Sequence, residues 1–577
     1  MAAPGIQTGQ EPRTGILDLP LELLSLTFEN FRVEVEEYRY MLDCKERRDA
    51  TKALRLTCRR LSDAATPILF SALTIDLSKE SLSRAEELVS RNAHVAASVR
   101  KVVISLASYT LGMADDMALF VESRLEDIKK MCLHYDSDWH MLRSDLYGSE
   151  GPELLDECDS ESRKPPEEIK CLRNGCRIFD AWDKDGYLDH DEDYDVYGYE
   201  GETERESAIR NYRGLIWKAH DTYHGKHREQ LELVEGGSFV QSVVRCLGHL
   251  RHECLQFIIT DGMKSPYHES AYIINDNEQL LSAMSAPHGW LDSYKNRSDE
   301  GEVSLPAARL LSEIPIACYR AGAPITDLSI VCFPIWGQLS LLVPGAPSLS
   351  PMSELPAELG TACQQLEKFE FGYEGMSFLC PVWQLRRPMS PPDRIYANSF
   401  FKAMISGGNL TTVHINMLVF GHGVPSGHPE YRYFDLGPVL EEMTWTKVQA
   451  VELSGFEIRQ DALENMFRKL DGGALRVLDL ASVQLRGDGG GSWADALEVL
   501  RDNLACRGDD VFDCDVRFED LEGGGLEVLY STPRKWDRDV DELEEGDEFC
   551  PWTPEEVSEE AMYFVMGLCA ENPLRYG

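Results

Sequence analysis

Positive charge is in short supply in this sequence. Its 577 residues carry 57 Lys and Arg against 99 Asp and Glu, a formal net charge of −42. A general nucleic-acid or anionic-membrane binder neutralises phosphates with clustered cations, so this balance excludes both partners. Acidity by itself gives solubility and self-repulsion without naming a partner. Long apolar runs are missing too. No stretch of about 18 continuous apolar residues exists for a membrane span. The first residues, MAAPGIQTGQEPRTG, lack the basic and apolar blocks of a secretory signal. The expected location is the cytoplasm, the nucleus or both. Paired cysteines are absent as well: the 16 cysteines are scattered, several inside apolar runs such as Met131-Cys132-Leu133, and no CxxC occurs. That usage fits reduced, buried thiols. The nearest approach to a metal pair, Cys171 and Cys176, has no second pair to complete a zinc site.

Catalytic signatures are also wanting. There is no G-x-S-x-G elbow. The glycine runs at 487–491 and 523–525 lack the Lys-Ser/Thr of a phosphate loop and read as flexible turns. Asp183, Asp185, Gly186, Asp189 and Glu192 fall at calcium-loop spacing, but the first ligand position is Ala181 and the exiting segment is poor helix, so a solvated acidic loop is the better reading. His220 and His224 have the i, i+4 spacing of a two-histidine metal pair, with His227 nearby. The glutamate of HEXXH is absent between them, which favours a polar helix face. No ligase cysteine and no zinc-RING pattern occurs. The expectation is a protein that is not an enzyme, with no cofactor and no metal.

What is present is enough apolar residue, 43 %, to build sizeable cores. At this length two or more domains, or one extended repeat domain, are expected. The informative segment is 16–75. It opens ILDLPLELLSLTFENF, with Pro20 suited to a first helical position, Asp18 suited to a cap, and Leu21, Leu24 and Phe28 on one stripe. After a charged stretch, a second helix is expected in ATKALRLTCRRLSDAATPILF. Leu54, Cys58, Leu61 and Ala65 share one face of it and Arg55, Arg59 and Arg60 the other. Pro67 is expected to end that helix, with a short third helix through Leu69 and Phe70. Leu73, Ile75 and Leu77 then alternate as a strand would.

The three blocks LP-x-E-L-L (Leu19, Pro20, Glu22, Leu23, Leu24), L-x-x-T-C-R-R-L (Leu54, Thr57 to Leu61) and A-x-P-x-L-F (Ala65, Pro67, Leu69, Phe70) resemble, in order, an F-box as worded in many fungal F-box proteins. The resemblance covers only this small part of the chain. It implies a three-helix module docking on the small adaptor subunit of an SCF ubiquitin ligase and, through it, on the cullin. Leu19, Pro20, Leu23, Leu24, Leu54, Cys58, Leu61, Pro67 and Leu69 would form the contact. The stretch between the first two blocks, around Val33 to Arg48, is longer than the family's pattern.

Beyond it recurs a pattern of apolar-x-x-apolar-x-apolar-x-x-apolar-x-apolar. It starts at Val99, Ile325, Leu410, Val448 and Leu475, with a partial copy at Leu366, Phe369 and Phe371. Helix-like segments alternate with it, such as SFFKAMISGG, DALENMFRKLDG and SWADALEVLRDNLA. Strand-then-helix units resemble an irregular leucine-rich-repeat solenoid. The ladder position usually held by Asn or Cys is filled here by Ala107, Phe333, Leu418, Phe456 and Val483. An ordinary α/β domain with parallel strands is the alternative. The expected fold is therefore α/β: a small three-helix F-box at 15–75 behind a disordered 1–14, then a first repeat-like region at 76–135. An acidic loop-rich insertion at 136–205, an irregular repeat domain at 206–530 and a charged segment with a capping helix at 531–577 follow. The function this suggests is recruitment of an unknown protein substrate to an SCF-type ligase. A repeat-type interaction scaffold without a ligase role is the alternative.

Overall fold

The computed structural model describes residues 49–135, 204–250, 255–262, 274–290, 305–334, 337–343, 357–372, 389–417, 434–443, 445–471, 473–486, 491–505, 514–524 and 554–576, with 170, 174–175, 177–179, 181–182 and 526 besides. Among the described residues eleven strands form one open, parallel sheet: β1 (Ala72–Asp76), β2 (Lys101–Ser105), β3 (Gln256–Thr260), β4 (Asp327–Ile330), β5 (Lys368–Phe371), β6 (Thr412–Asn416), β7 (Phe434–Asp435), β8 (Ala450–Arg459), β9 (Val477–Arg486), β10 (Asp515–Glu519) and β11 (Glu522–Gly523). Strands β1 to β6 and β8 to β10 lie side by side in chain order, with β7 beside β8 and β11 beside β9. The sheet thus grows in one direction, without the reversal of strand order that marks a doubly wound fold.

A parallel neighbour cannot be reached through a tight turn, so each step needs a crossover. Helices supply them. α1 (Arg59–Leu69) leads into β1, and α2 (Lys79–Arg91) and α3 (Ala93–Ala96) join β1 to β2. Between β2 and β3 come α4 (Leu111–Asp115), α5 (Met117–Tyr135), α6 (Glu204–Glu235) and α7 (Ser238–His249). α8 (Asn277–Met284) and α9 (Leu310–Arg320) precede β4, α10 (Ala357–Cys363) precedes β5, α11 (Pro391–Ile405) precedes β6, and α12 (Gly437–Leu440) precedes β8. α13 (Gln460–Lys469) and α14 (Trp493–Ala505) follow β8 and β9, and α15 (Pro554–Val565) packs on β10.

The apolar alternation fixes the register. One row runs from Leu73 through Phe257, Phe369 and Val451 to Val516; the next inward row runs from Ile75 through Ile330 and Phe371 to Phe518. Both rows are buried along their whole length and share one core with the crossover helices. The residues between them, such as Thr74, His414 and Arg517, take no part in it. A slip of one residue would turn every inward side chain outward, which is why alternation over short strands suffices to set the pairing.

At the end of that alternation the chain turns a corner. Gly455, Ser482 and Asp520 occupy matching positions on three neighbouring strands, each with φ between 48° and 71°. Past the corner Phe456 and Val483 point back into the core. Phe333, from the same position of an earlier unit, meets Phe371, Phe400 and Phe401 at ring-centroid distances of 5.2, 5.8 and 5.4 Å. At Phe333, ring packing therefore fills a position where the Asn of a ladder would hydrogen-bond the backbone; Leu418 lies outside the described residues.

Glycine 523 is a tight contact rather than the flexible turn its surroundings suggest. It sits in β11 at φ +69, and a Cβ there would come within 2.2 Å of the Leu485 carbonyl oxygen. Gly523→Ala is expected to cost about 1–3 kcal/mol from the left-handed backbone alone. Thermal unfolding should show a lowered midpoint, and an unchanged one would contradict the assignment.

The long excursion between β2 and β3 builds a second core. Met113, Phe120, Tyr212, Ile216 and Tyr223 join Ile274, Leu280 and Met284 from the excursion before β4. Within the acidic stretch read as loop, 174–175, 177–179 and 181–182 are helical. Ile178, Ala181 and Trp182 are fully buried there, and the Trp182 indole donates to the Tyr212 carbonyl at 2.9 Å.

Candidate docking helix and recognition face

The segment resembling an F-box is described from residue 49 onward; Leu19, Pro20, Leu23 and Leu24 lie outside the described residues. The single helix expected over Leu54 to Ala65 is two. Helical residues 49–55 end in a turn, where the Leu54 carbonyl accepts from both the backbone and the hydroxyl of Thr57. Cys58, extended at φ −159, then caps α1. Leu54, Cys58 and Leu61 nevertheless stay together: Leu61 and Ala64 form a small core against which Leu54, Cys58 and Ile68 pack. Pro67 does not end the helix. α1 runs through it to Leu69, because the exposed ring faces away from the chain and the loss is confined to one intrahelical bond near the helix end. Leu69 and Phe70 belong to that terminus rather than to a third helix.

One residue escaped the pattern. Leu56, in the turn between the helices, is 87 % exposed, the most exposed large apolar side chain among the described residues. It stands among the exposed Arg55, Arg59 and Arg60. Its signal in the sequence is an apolar residue off the stripe in an otherwise basic block. The helix pair touches the rest of the molecule through α3, where His94 approaches Asp63 at 3.7 Å.

The second candidate is the side of the sheet whose residues take no part in the cores of the described residues. Its side chains are the x positions of the apolar pattern, which a search for apolar repeats passes over. Across β5, β6, β8, β9 and β10, one register row reads Glu370, His414, Glu452, Asp479 and Arg517. His414 lies 3.3 Å from Glu452 and Arg517 lies 2.5 Å from Asp515. Asp479 makes no hydrogen bond or ion pair among the described residues. Burial, and then the charge of Glu452 beside it, hold its carboxyl above the usual range, with Arg517 opposing. Like charges directly opposite on neighbouring strands destabilise a sheet, so Glu452 and Asp479 stand together at a cost to folding.

Of the metal chemistry weighed above, Asp183, Asp185, Gly186, Asp189, Glu192, Cys171 and Cys176 lie outside the described residues, whereas the histidines are placed. The imidazole Nε2 of His220 lies 3.1 Å from the Met113 carbonyl, and the ring meets Phe120 edge-on at 5.1 Å. From α6 it thus packs against α4 and α5. Burial lowers the pKa of both His220 and His227. The unfolded chain therefore binds more protons, and stability falls as pH drops below about 6.5, the unperturbed value, toward the folded ones. The thermal midpoint of the protein should fall more between pH 7 and 5 than that of a His220→Asn/His227→Asn variant; equal falls would contradict this. Among the described residues no group of three or more His, Cys, Asp or Glu side chains is placed to hold a metal ion, and no helix is long and apolar enough to cross a membrane.

No protein-family model matches the chain, and no curated protein or solved structure matches it.

Proposed function

We propose that this chain is a substrate-recognition adaptor of an SCF-type ubiquitin ligase. The helical segment through Leu61 docks on the small adaptor subunit. The parallel sheet unit, read as an irregular leucine-rich-repeat-like solenoid, selects the target. The observation that carries this reading is a conjunction. Three ordered F-box-like blocks precede a sheet that adds strands in one direction and has one row of side chains outside the core of the described residues. A sheet of that kind offers a broad surface for a protein partner. Ubiquitin transfer itself belongs to the partners. The chain contributes proximity, holding a target lysine near an activated thioester at high effective concentration.

One observation favours the scaffold reading: α1 sits against α3 beside the first strand, as an end cap of a repeat unit would. Binding separates the two. Leu23→Asp and Leu61→Asp are expected to abolish co-purification of the ligase adaptor while the sheet unit keeps its unfolding transition. Leu56→Asp, at an exposed position, is expected to weaken it without touching any core. Adaptor retained by both of the first two variants would overturn the reading.

A further inference from the structure

We propose that Ser390 is a phosphorylation site for a proline-directed serine kinase, and that the phosphate releases Asp393 from the backbone of Gly337. This stands apart from the adaptor reading. The acceptor pair is Ser390-Pro391. A proline after the acceptor keeps the serine extended and presents no N–H for an enzyme's groove to satisfy. Ser390 already has that backbone, with φ −65 and ψ 153. Thr66, which Pro67 follows, is the other described hydroxyl in such a pair. It lies inside α1, 6 % exposed, and donates to the Ser62 carbonyl at 2.7 Å. Ser390 is exposed, so of the two it alone is open to an enzyme.

The consequence of modification follows from three hydrogen bonds. The Ser390 hydroxyl donates to the Asp393 carboxylate at 2.6 Å and accepts from the Asp393 N–H at 3.2 Å. The same carboxylate oxygen, Oδ2, accepts from the Gly337 N–H at 3.0 Å. Asp393 is buried, and Gly337 leads into the single helical turn Leu339–Leu342, whose Leu339 and Leu342 are part of the main core. An exposed hydroxyl and a backbone contact beside the core therefore share one oxygen.

In the transfer, the Ser390 Oγ forms a bond to the γ-phosphorus of ATP as the bond from that phosphorus to the β,γ-bridging oxygen breaks. ADP leaves with the electron pair, and the hydroxyl proton passes to the kinase's base. Oγ then has no proton to give Asp393 and carries a charge of about −1.5 to −2 beside it. The start of α11 holds the phosphate. Pro391 and Pro392 have no N–H, so the Asp393 N–H is the first donor there, and the positive helix end favours the anion. The Asp393 carboxylate loses a donor and gains a like charge, so it is the group that moves, off Gly337.

The test treats the full chain with a proline-directed serine kinase, magnesium and ATP. Peptide mass spectrometry locates the phosphate, and hydrogen exchange is followed in the peptide containing Gly337. Ser390→Ala, treated alike, controls for phosphate placed elsewhere. The expected result is phosphate on Ser390 and none on Thr66. Exchange at Gly337 should become about tenfold faster on treatment, the loss of one hydrogen bond to a charged group. Exchange in the variant should not change on treatment. No phosphate on Ser390, phosphate there with unchanged exchange at Gly337, or an equal change in Ser390→Ala overturns the proposal.

Discussion

Replacing Phe401 with alanine is expected to lower stability by about 3–5 kcal/mol, the range for emptying a well-packed aromatic site. Phe401 lies on α11, 1 % exposed. It is stacked on Phe333 at 28° and set edge-on to Phe371, Phe400 and Phe434 at 4.8, 5.7 and 5.7 Å. Those partners come from the segment after β4, from β5, from α11 itself and from β7, so one ring ties successive strand-and-helix units together. Removing it takes away apolar burial and four ring contacts at once, and the surrounding rings cannot all close on the space because each is fixed by its own strand or helix. Phe401→Leu keeps much of the volume and should cost markedly less. Urea unfolding distinguishes these outcomes. A midpoint shift worth less than about 1 kcal/mol for the alanine variant would mean that the cluster is loosely packed.

Arg124→Leu is expected to have an effect of the same size by a different route. Arg124 is 1 % exposed on α5 and bridges three segments. Its Nη1 donates to the Asp127 carboxylate at 3.1 Å and lies 2.9 Å from the His288 Nε2, and its Nη2 donates to the Ala286 carbonyl at 2.6 Å. The guanidinium also lies over the rings of Phe120 and Tyr223, 5.4 Å from each centroid. A guanidinium can only donate, so the His288 Nε2 accepts and the ring is neutral there. The 3.3 Å approach of that nitrogen to Asp127 is then a contact and not a hydrogen bond. His288 in turn pairs its backbone with Ser108, just beyond β2. Leucine keeps the volume but leaves the buried Asp127 carboxylate without this cation, a loss of about 3–5 kcal/mol. Lysine should rescue little, because one ammonium cannot reproduce the forked geometry. Hydrogen exchange on α5 and α6 is the direct readout: protection should fall there first, and unchanged protection would contradict the bridging role.

Much of the sheet was legible because its code is local. The apolar patterns starting at Val99, Ile325, Leu366, Leu410, Val448 and Leu475 correspond to β2, β4, β5, β6, β8 and β9. Four strands were not found: β7 and β11, each only two residues long, and β3 and β10, whose apolar pattern is broken. In β3, Gly262 and Lys264 stand where the fourth and fifth apolar positions should be, and in β10 the first and fifth are Asp513 and Gly523. Pairing with a neighbour of the right register makes up for those gaps, and pairing is not a property of one segment. The second core was hidden because Trp182 sits inside an acidic run, whose composition reads as solvated until distant helices supply its partners. In the segment resembling an F-box, the small core around Leu61 followed from helical spacing, whereas the break at Cys58 and the continuation through Pro67 depend on caps and exposure that spacing does not encode. The acidic row was invisible for a geometric reason: Glu370, His414, Glu452 and Asp479 come together only through lateral register across strands far apart in sequence.

The most direct test of the adaptor account is affinity purification with mass spectrometry, comparing the full chain with one lacking residues 15–75. The account predicts that the SCF adaptor subunit and cullin accompany the full chain at near-stoichiometric levels and vanish on deletion, while target proteins bound by the sheet unit remain. Absence of adaptor and cullin from the full-length sample, or their persistence after the deletion, would contradict it.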